Sequence, residues 1–150
     1  MTEPGATPLF VDTGAFYARI DERDDEHTRA MAVFDALEAG ELVYRPIYTS
    51  GFVLGELVAL GIARGRVNDV GAALDRIRSS PRVEVLHPGE PAFAEACAEF
   101  HHYSDQQLSL VDHLTGVLAD ERGVDHVFTF DPNDFETLGL TPIPKAIDLP

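Results

Sequence analysis

Apolar positions recur along this chain with two periods, and the alternation between them lays out a series of strands and helices. Short runs of β-branched and aromatic residues predict strands, and apolar residues spaced three and four apart predict helices. Pro8 to Val11 is the first such run and ends at Asp12-Thr13-Gly14; Ala15 to Ile20 then supplies one or two helical turns. The polar run Asp21 to Glu26 leads into a longer helix reaching about Ala39, with Met31, Phe34 and Leu37 facing inward and Gly40 as its stop. The acids of that run lack the glycine and glutamate positions of a calcium loop and read as the acidic start of a helix. Leu42 to Tyr48 holds a second strand, interrupted or bounded by Pro46, and Thr49-Ser50 caps a helix from about Gly51 to Arg64. A helix over about Val67 to Arg78, a strand at Arg82 to Leu86 and a helix from about Pro91 to His102 follow, with Tyr103 to Gln107 as a link.

The stretch Ser109 to Phe135 is the most informative. Leu110, Leu114, Val117 and Leu118 keep helical spacing, Ser109 and Asp112 fit a capping box with an acid in the usual Glu or Gln position, and Gly123 ends the helix. Val127 to Phe130 is a strand that runs into the acidic turn Asp131-Pro132-Asn133-Asp134; a short helical turn and a last strand near Pro142-Ile143 complete the chain. Strands alternating with helices predict an α/β fold with a largely parallel sheet and helices on both faces. Ligands of such folds bind outside the carboxyl ends of the strands, where Asp12 and Asp131 stand.

Composition narrows the class. A chain of 150 residues, 45% hydrophobic and 9% aromatic, is one domain's worth and long enough for a real core. The N-terminus has no signal-peptide pattern, and the best apolar run, Phe52 to Ala63, is broken by Glu56 and too short for a membrane span. The lone Cys97 forms no internal disulfide, suits a reducing cytoplasm and reads as buried packing. The net charge is −15, with Lys145 as the only lysine. This reads as a surface adapted to high salt, where a Debye length of about 3 Å tolerates the self-repulsion; an acidic surface for a basic partner is the alternative. Either way the charge argues against a generic coater of DNA, whose affinity comes from Lys and Arg, while leaving room for local basic contacts around a small cleft.

Two more acids stand in unsuitable surroundings. Glu56 is the only charged residue between Tyr48 and Arg64, and Asp112 has apolar neighbours on both sides. Read alone, Glu56 fits an exposed stripe on a buried helix, and Asp112 is explained by its cap. Read together, Asp12, Glu56, Asp112 and Asp131, with Asp134 close behind, converge on one pocket, where carboxylates stay ionised only if a cation holds them. All are oxygen donors, which suits Mg2+ or Mn2+. His101-His102 reads as a solvated helix end, and His27 and His113 as structural.

These segments, VDTGAFYARID, VLGELVAL and SLVDHLTGVLADERGVDHVFTFDPNDF in this order, resemble the PIN domain, a family of small metal-dependent ribonucleases, and within it the VapC-like toxin type. The resemblance implies a three-layer α/β/α fold with a mostly parallel sheet of about five strands. It implies endonucleolytic RNA cleavage with Asp12, Glu56, Asp112 and Asp131 as the acidic quartet and Asp134 as an additional acid, Thr13 and Ser109 being the small hydroxyl positions beside them. It further implies a cognate antitoxin as partner and pairing as a homodimer. The turn TFDPNDF is one residue longer than the commonest form, so Asp131 and Asp134 compete for the last ligand. Arg64, Arg66, Arg76 and Arg78 are the densest basic cluster, suited to substrate phosphates, an acidic partner or a solvated face. Two other classes compete with this one. A phosphoryl-transfer domain of the haloacid-dehalogenase or receiver type lacks its second aspartate, Gly14 standing there, or its leading acidic pair. A catalytically silent PIN-like module binding RNA or protein gains nothing from buried acids.

Overall fold

The computed structural model describes residues 6–103 and 107–149. The sequence reading of the N-terminus, over residues 1–5, and most of the predicted link after Tyr103 lie outside the described residues. Five strands, β1 (Thr7–Val11), β2 (Tyr44–Ser50), β3 (Val83–Leu86), β4 (His126–Phe128) and β5 (Thr141–Ile143), form one sheet in the order β3-β2-β1-β4-β5. Every pairing is parallel. The chain builds outward from β1 to β2 and β3, then crosses to β4 and β5 on the other side. The strand order therefore reverses between β1 and β4, the place where such sheets open a crevice.

The helices are α1 (Thr13–Ile20), α2 (His27–Ala39), α3 (Gly51–Ala63), α4 (Val67–Ser79), α5 (Glu90–His102), α6 (Leu110–Arg122) and α7 (Pro132–Thr137). Val11, Ile47 and Val83 face α1, α2 and α4 around a cleft of about 200 Å3, and Phe34 of α2 is stacked on Phe16 and tilted against Phe128. On the opposite face the Arg122 guanidinium of α6 lies over the Tyr48 ring, and α5 packs along α6. Leu9, Phe10, Phe128 and Phe135 are fully buried between these layers; full burial of one such side chain is worth about 1.5–3 kcal/mol. Among the described residues, no helix is long and apolar enough to cross a membrane.

Several boundaries differ from the sequence reading, each for a local reason. The second strand carries Pro46 inside it rather than at its edge. The pairing of Thr7 with Tyr44 and of Leu9 with Ile47 leaves one extra residue on β2, a bulge that accommodates a residue with no N–H to give. Thr49 is in the strand, its hydroxyl donating to the Val11 carbonyl at 3.1 Å, and Ser50 alone is the cap, accepting from the Val53 N–H at 3.2 Å. The acids before α2 do not occupy its first turn. Asp21 and Asp24 fold the loop instead, accepting from the N–H groups of Arg23 and Glu26 at 2.9 Å each. The buried stripe of α2 is Ala30, Val33, Phe34 and Ala36, with Met31 and Leu37 half-buried, and Cys97 is half-buried rather than enclosed.

Candidate active site

Asp12 leaves the end of β1 and caps no amide of α1 with its side chain. Its own N–H donates to the Phe128 carbonyl at 3.0 Å, which ties it to β4 across the switch point. It is only 5% exposed, and its carboxyl is raised from 3.8 to about 7. Burial is the main cause, and the charges on Asp112 and Asp131 add to it; the Thr13 N–H and the Thr129 hydroxyl oppose it.

Glu56 is brought in by α3. The Thr13 hydroxyl donates to Glu56 Oε1 at 2.8 Å, joining the first residue of α1 to a helix far away in sequence. Burial, then the charge on Asp112, raises the Glu56 carboxyl against the help of Thr13. Asp112 closes the capping box of α6: its N–H donates to Ser109 Oγ at 3.0 Å, and its Oδ2 accepts from the Ser109 N–H at 3.1 Å. Burial raises Asp112 as well, with added repulsion from Asp134 and Asp131. The capping reading and the site reading of Asp112 are thus compatible, because the cap holds the carboxylate at the very place where the other acids act on it.

Asp131 is the N-cap residue of α7, and Asp134 lies in its first turn. Desolvation and the charge on Asp134 raise Asp131. Thr129, which the sequence reading placed within the strand, lies just beyond β4 and is 2% exposed. Its hydroxyl donates to Asp12 Oδ2 at 3.1 Å and accepts from the Asp131 N–H at 3.0 Å. The signal available in the sequence was a threonine two residues ahead of an acid, the spacing of a hydroxyl turn.

Asp112 thus acts on Asp12 and Glu56, Asp131 on Asp12 and Asp112, and Asp134 on Asp112 and Asp131, so the five acids are linked electrostatically at the switch point. Among the described residues the ion pairs of Arg and Lys go to Asp21, Asp24, Glu26, Glu38, Asp69 and Glu136, and none reaches these five. Oxygen donors without a positive partner, each raising the next, fit a hard divalent cation in chemistry and charge. As the side chains lie here, no three His, Cys, Asp or Glu among the described residues close into a ligand set. The carboxylates of Asp12 and Glu56 accept instead from the hydroxyls of Thr129 and Thr13, and that of Asp112 from the Ser109 N–H.

The basic cluster does not join them. Arg66 pairs with Asp21 at 3.1 Å, and Arg64 lies over Tyr17 and near Asp24, so both serve the far end of α1 from Asp12; Arg76 and Arg78 are in the last turn of α4. His27 Nδ1 bonds the Ala18 carbonyl at 2.7 Å, His113 is fully buried between the Phe100 and Tyr103 rings, and His101 and His102 are exposed. A hollow of about 800 Å3 is lined by Tyr44, Pro46, Arg82 and Glu84 among others and includes none of the five acids.

A parallel three-layer sheet with acids gathered at its switch point defines a class of small α/β domains with an acidic crevice. The PIN domain family model matches residues 9–139, and the chain belongs to that family. Solved structures share the fold. VapC20 of Mycobacterium tuberculosis, a sarcin-ricin loop cleaving toxin, is 23% identical with a TM-score of 0.75, over 86% of this chain and 94% of that one. VapBC-1 of nontypeable Haemophilus influenzae is 14% identical with a TM-score of 0.63, over 91% and 96%. FitAcB of Neisseria gonorrhoeae is 20% identical with a TM-score of 0.62, over 89% and 95%. No curated protein sequence matches significantly.

Proposed function

We propose that this chain is a divalent-cation-dependent endoribonuclease and the toxin of a toxin–antitoxin pair. The observation that carries the reading is the group of five acids at the switch point: burial and neighbouring carboxylates raise Asp12, Glu56, Asp112 and Asp131, and none of the five pairs with an Arg or Lys among the described residues. Asp12, Glu56, Asp112 and Asp131, with Asp134, would hold Mg2+ or Mn2+. When bound, such a cation stabilises negative charge on a phosphodiester and acidifies a bound water. The protein's own share is placement. The Thr129 hydroxyl fixes the Asp12 carboxylate, the Thr13 hydroxyl that of Glu56 and the Ser109 N–H that of Asp112, so these carboxylates need little reorganisation. A carboxylate left ionised there orients the attacking water and accepts its proton.

VapC20 is described as a toxin that cleaves the sarcin-ricin loop, and VapBC-1 gives its name to a two-part assembly; by likeness of fold, RNA is the substrate and an antitoxin the partner here. Exposed Ile62 and Val67, on either side of the α3–α4 turn, offer an apolar patch for pairing with a second copy. The charge of −15 is consistent with work in high salt. A module that only bound its partner would gain nothing from a carboxyl as costly as that of Asp12.

The test is cleavage of single-stranded RNA in high salt, with Mg2+ or Mn2+ and with chelator. The native chain should cleave only with the metal, and Asp12→Asn, which keeps the shape and the Thr129 contact, should lose about 100-fold or more. Equal cleavage by both would sink the assignment.

A further inference from the structure

The carboxyl edge of the sheet carries a second feature beside the acids. Ser50 pairs with Leu86 in register, so the residues that follow them, Gly51 and His87, leave β2 and β3 side by side. A Cβ on Gly51 would lie 2.9 Å from His87 Nδ1, so a glycine is needed for the imidazole to rest against the start of α3. Phe52, the next residue, is 38% exposed. Its ring meets that of Phe93 in α5 at 5.7 Å between centroids, tilted by 31°. Phe52 also precedes Glu56 by four residues, which puts both on one face of α3, roughly 5–6 Å apart at Cβ. An exposed aromatic shelf is thus continuous with the acid that Thr13 holds.

The charge of the chain favours a ligand that such a shelf can hold without ion pairing. A protein of net charge −15 gains little from phosphate neutralisation, least of all in high salt. Stacking of a base on an aromatic face needs no charge, and every nucleobase offers a face. We propose that Phe52, backed by Phe93 and bordered by His87, is a stacking subsite for an unpaired nucleobase next to the scissile phosphate; this rests on the ribonuclease reading of the acids beside it. Phe52 then determines substrate affinity, favours single-stranded over duplex RNA, and keeps its contribution as ionic strength rises.

The test uses the full chain in chelator and a short single-stranded RNA carrying 2-aminopurine, whose fluorescence falls when it stacks. Native protein should quench the probe with a weak dependence on salt. Phe52→Ala should abolish the quenching and weaken binding about tenfold, and Phe52→Tyr should restore both. Quenching and affinity unchanged in Phe52→Ala would overturn the proposal. So would unchanged RNA binding with an altered sedimentation coefficient, which would assign Phe52 to a contact between copies. Because binding is read without cleavage, the result stands apart from the nuclease assay: a chain that cleaves RNA but does not quench refutes only the shelf. One that quenches but never cleaves refutes only the nuclease reading.

Discussion

At the residue scale the site is a set of carboxylates, of which Asp12 and Glu56 are held by hydroxyls and Asp112 by a backbone N–H. Asp12 shows the cost most clearly, with its carboxyl near 7 against an ordinary 3.8. Without a cation, the folded chain keeps a proton there that the unfolded chain releases above about pH 4. Its stability therefore falls as pH rises from about 4 to about 7 and stays reduced above that. Asp12→Asn removes the titration and keeps a partner for Thr129. In chelator the native chain should lose on the order of 2–4 kcal/mol relative to Asp12→Asn between about pH 5 and about pH 7.5, read by thermal melting. Parallel curves for the two proteins would contradict the assigned burial. Asp12 and Asp131 were legible because an acid at the end of an apolar strand is conspicuous. Thr129 was not, because its role depends on the strand ending at Phe128 and on a hydroxyl that reaches two acids at once.

At the element scale, what is local in sequence was the most legible. The capping box of α6 needs only Ser109 and Asp112, and Gly123 ends the helix in the left-handed conformation at φ 66°, which a residue without a side chain adopts freely. Features set by a neighbouring strand or loop were less legible: the bulge at Pro46 follows from the register with β1, and the acids before α2 became turn-formers rather than a helix start. The cap of α6 serves both the helix and the site. Ser109→Ala should cost about 1 kcal/mol, seen in urea unfolding as a lower midpoint with an unchanged slope. An unshifted midpoint would mean that the Ser109–Asp112 exchange contributes nothing.

At the scale of the whole molecule, alternation predicted the layers and the parallel sheet, but not the strand order, since the side of β1 to which each crossover returns is a tertiary choice. That order brings the end of β1, α3, the start of α6 and the turn after β4 together, and so brings together acids 44, 56 and 19 positions apart (Asp12 to Glu56, Glu56 to Asp112, Asp112 to Asp131). Grouping so much negative charge in a chain already at −15 is the cost that the proposed cation would offset. Calorimetric titration of Mn2+ into the native chain, Asp12→Asn and Glu56→Gln tests this most directly. Saturable binding to the native chain, weakened about tenfold or more in each variant, is the expected result. Native protein that takes up no Mn2+, or variants that bind it as tightly as the native chain, would contradict a shared cation site.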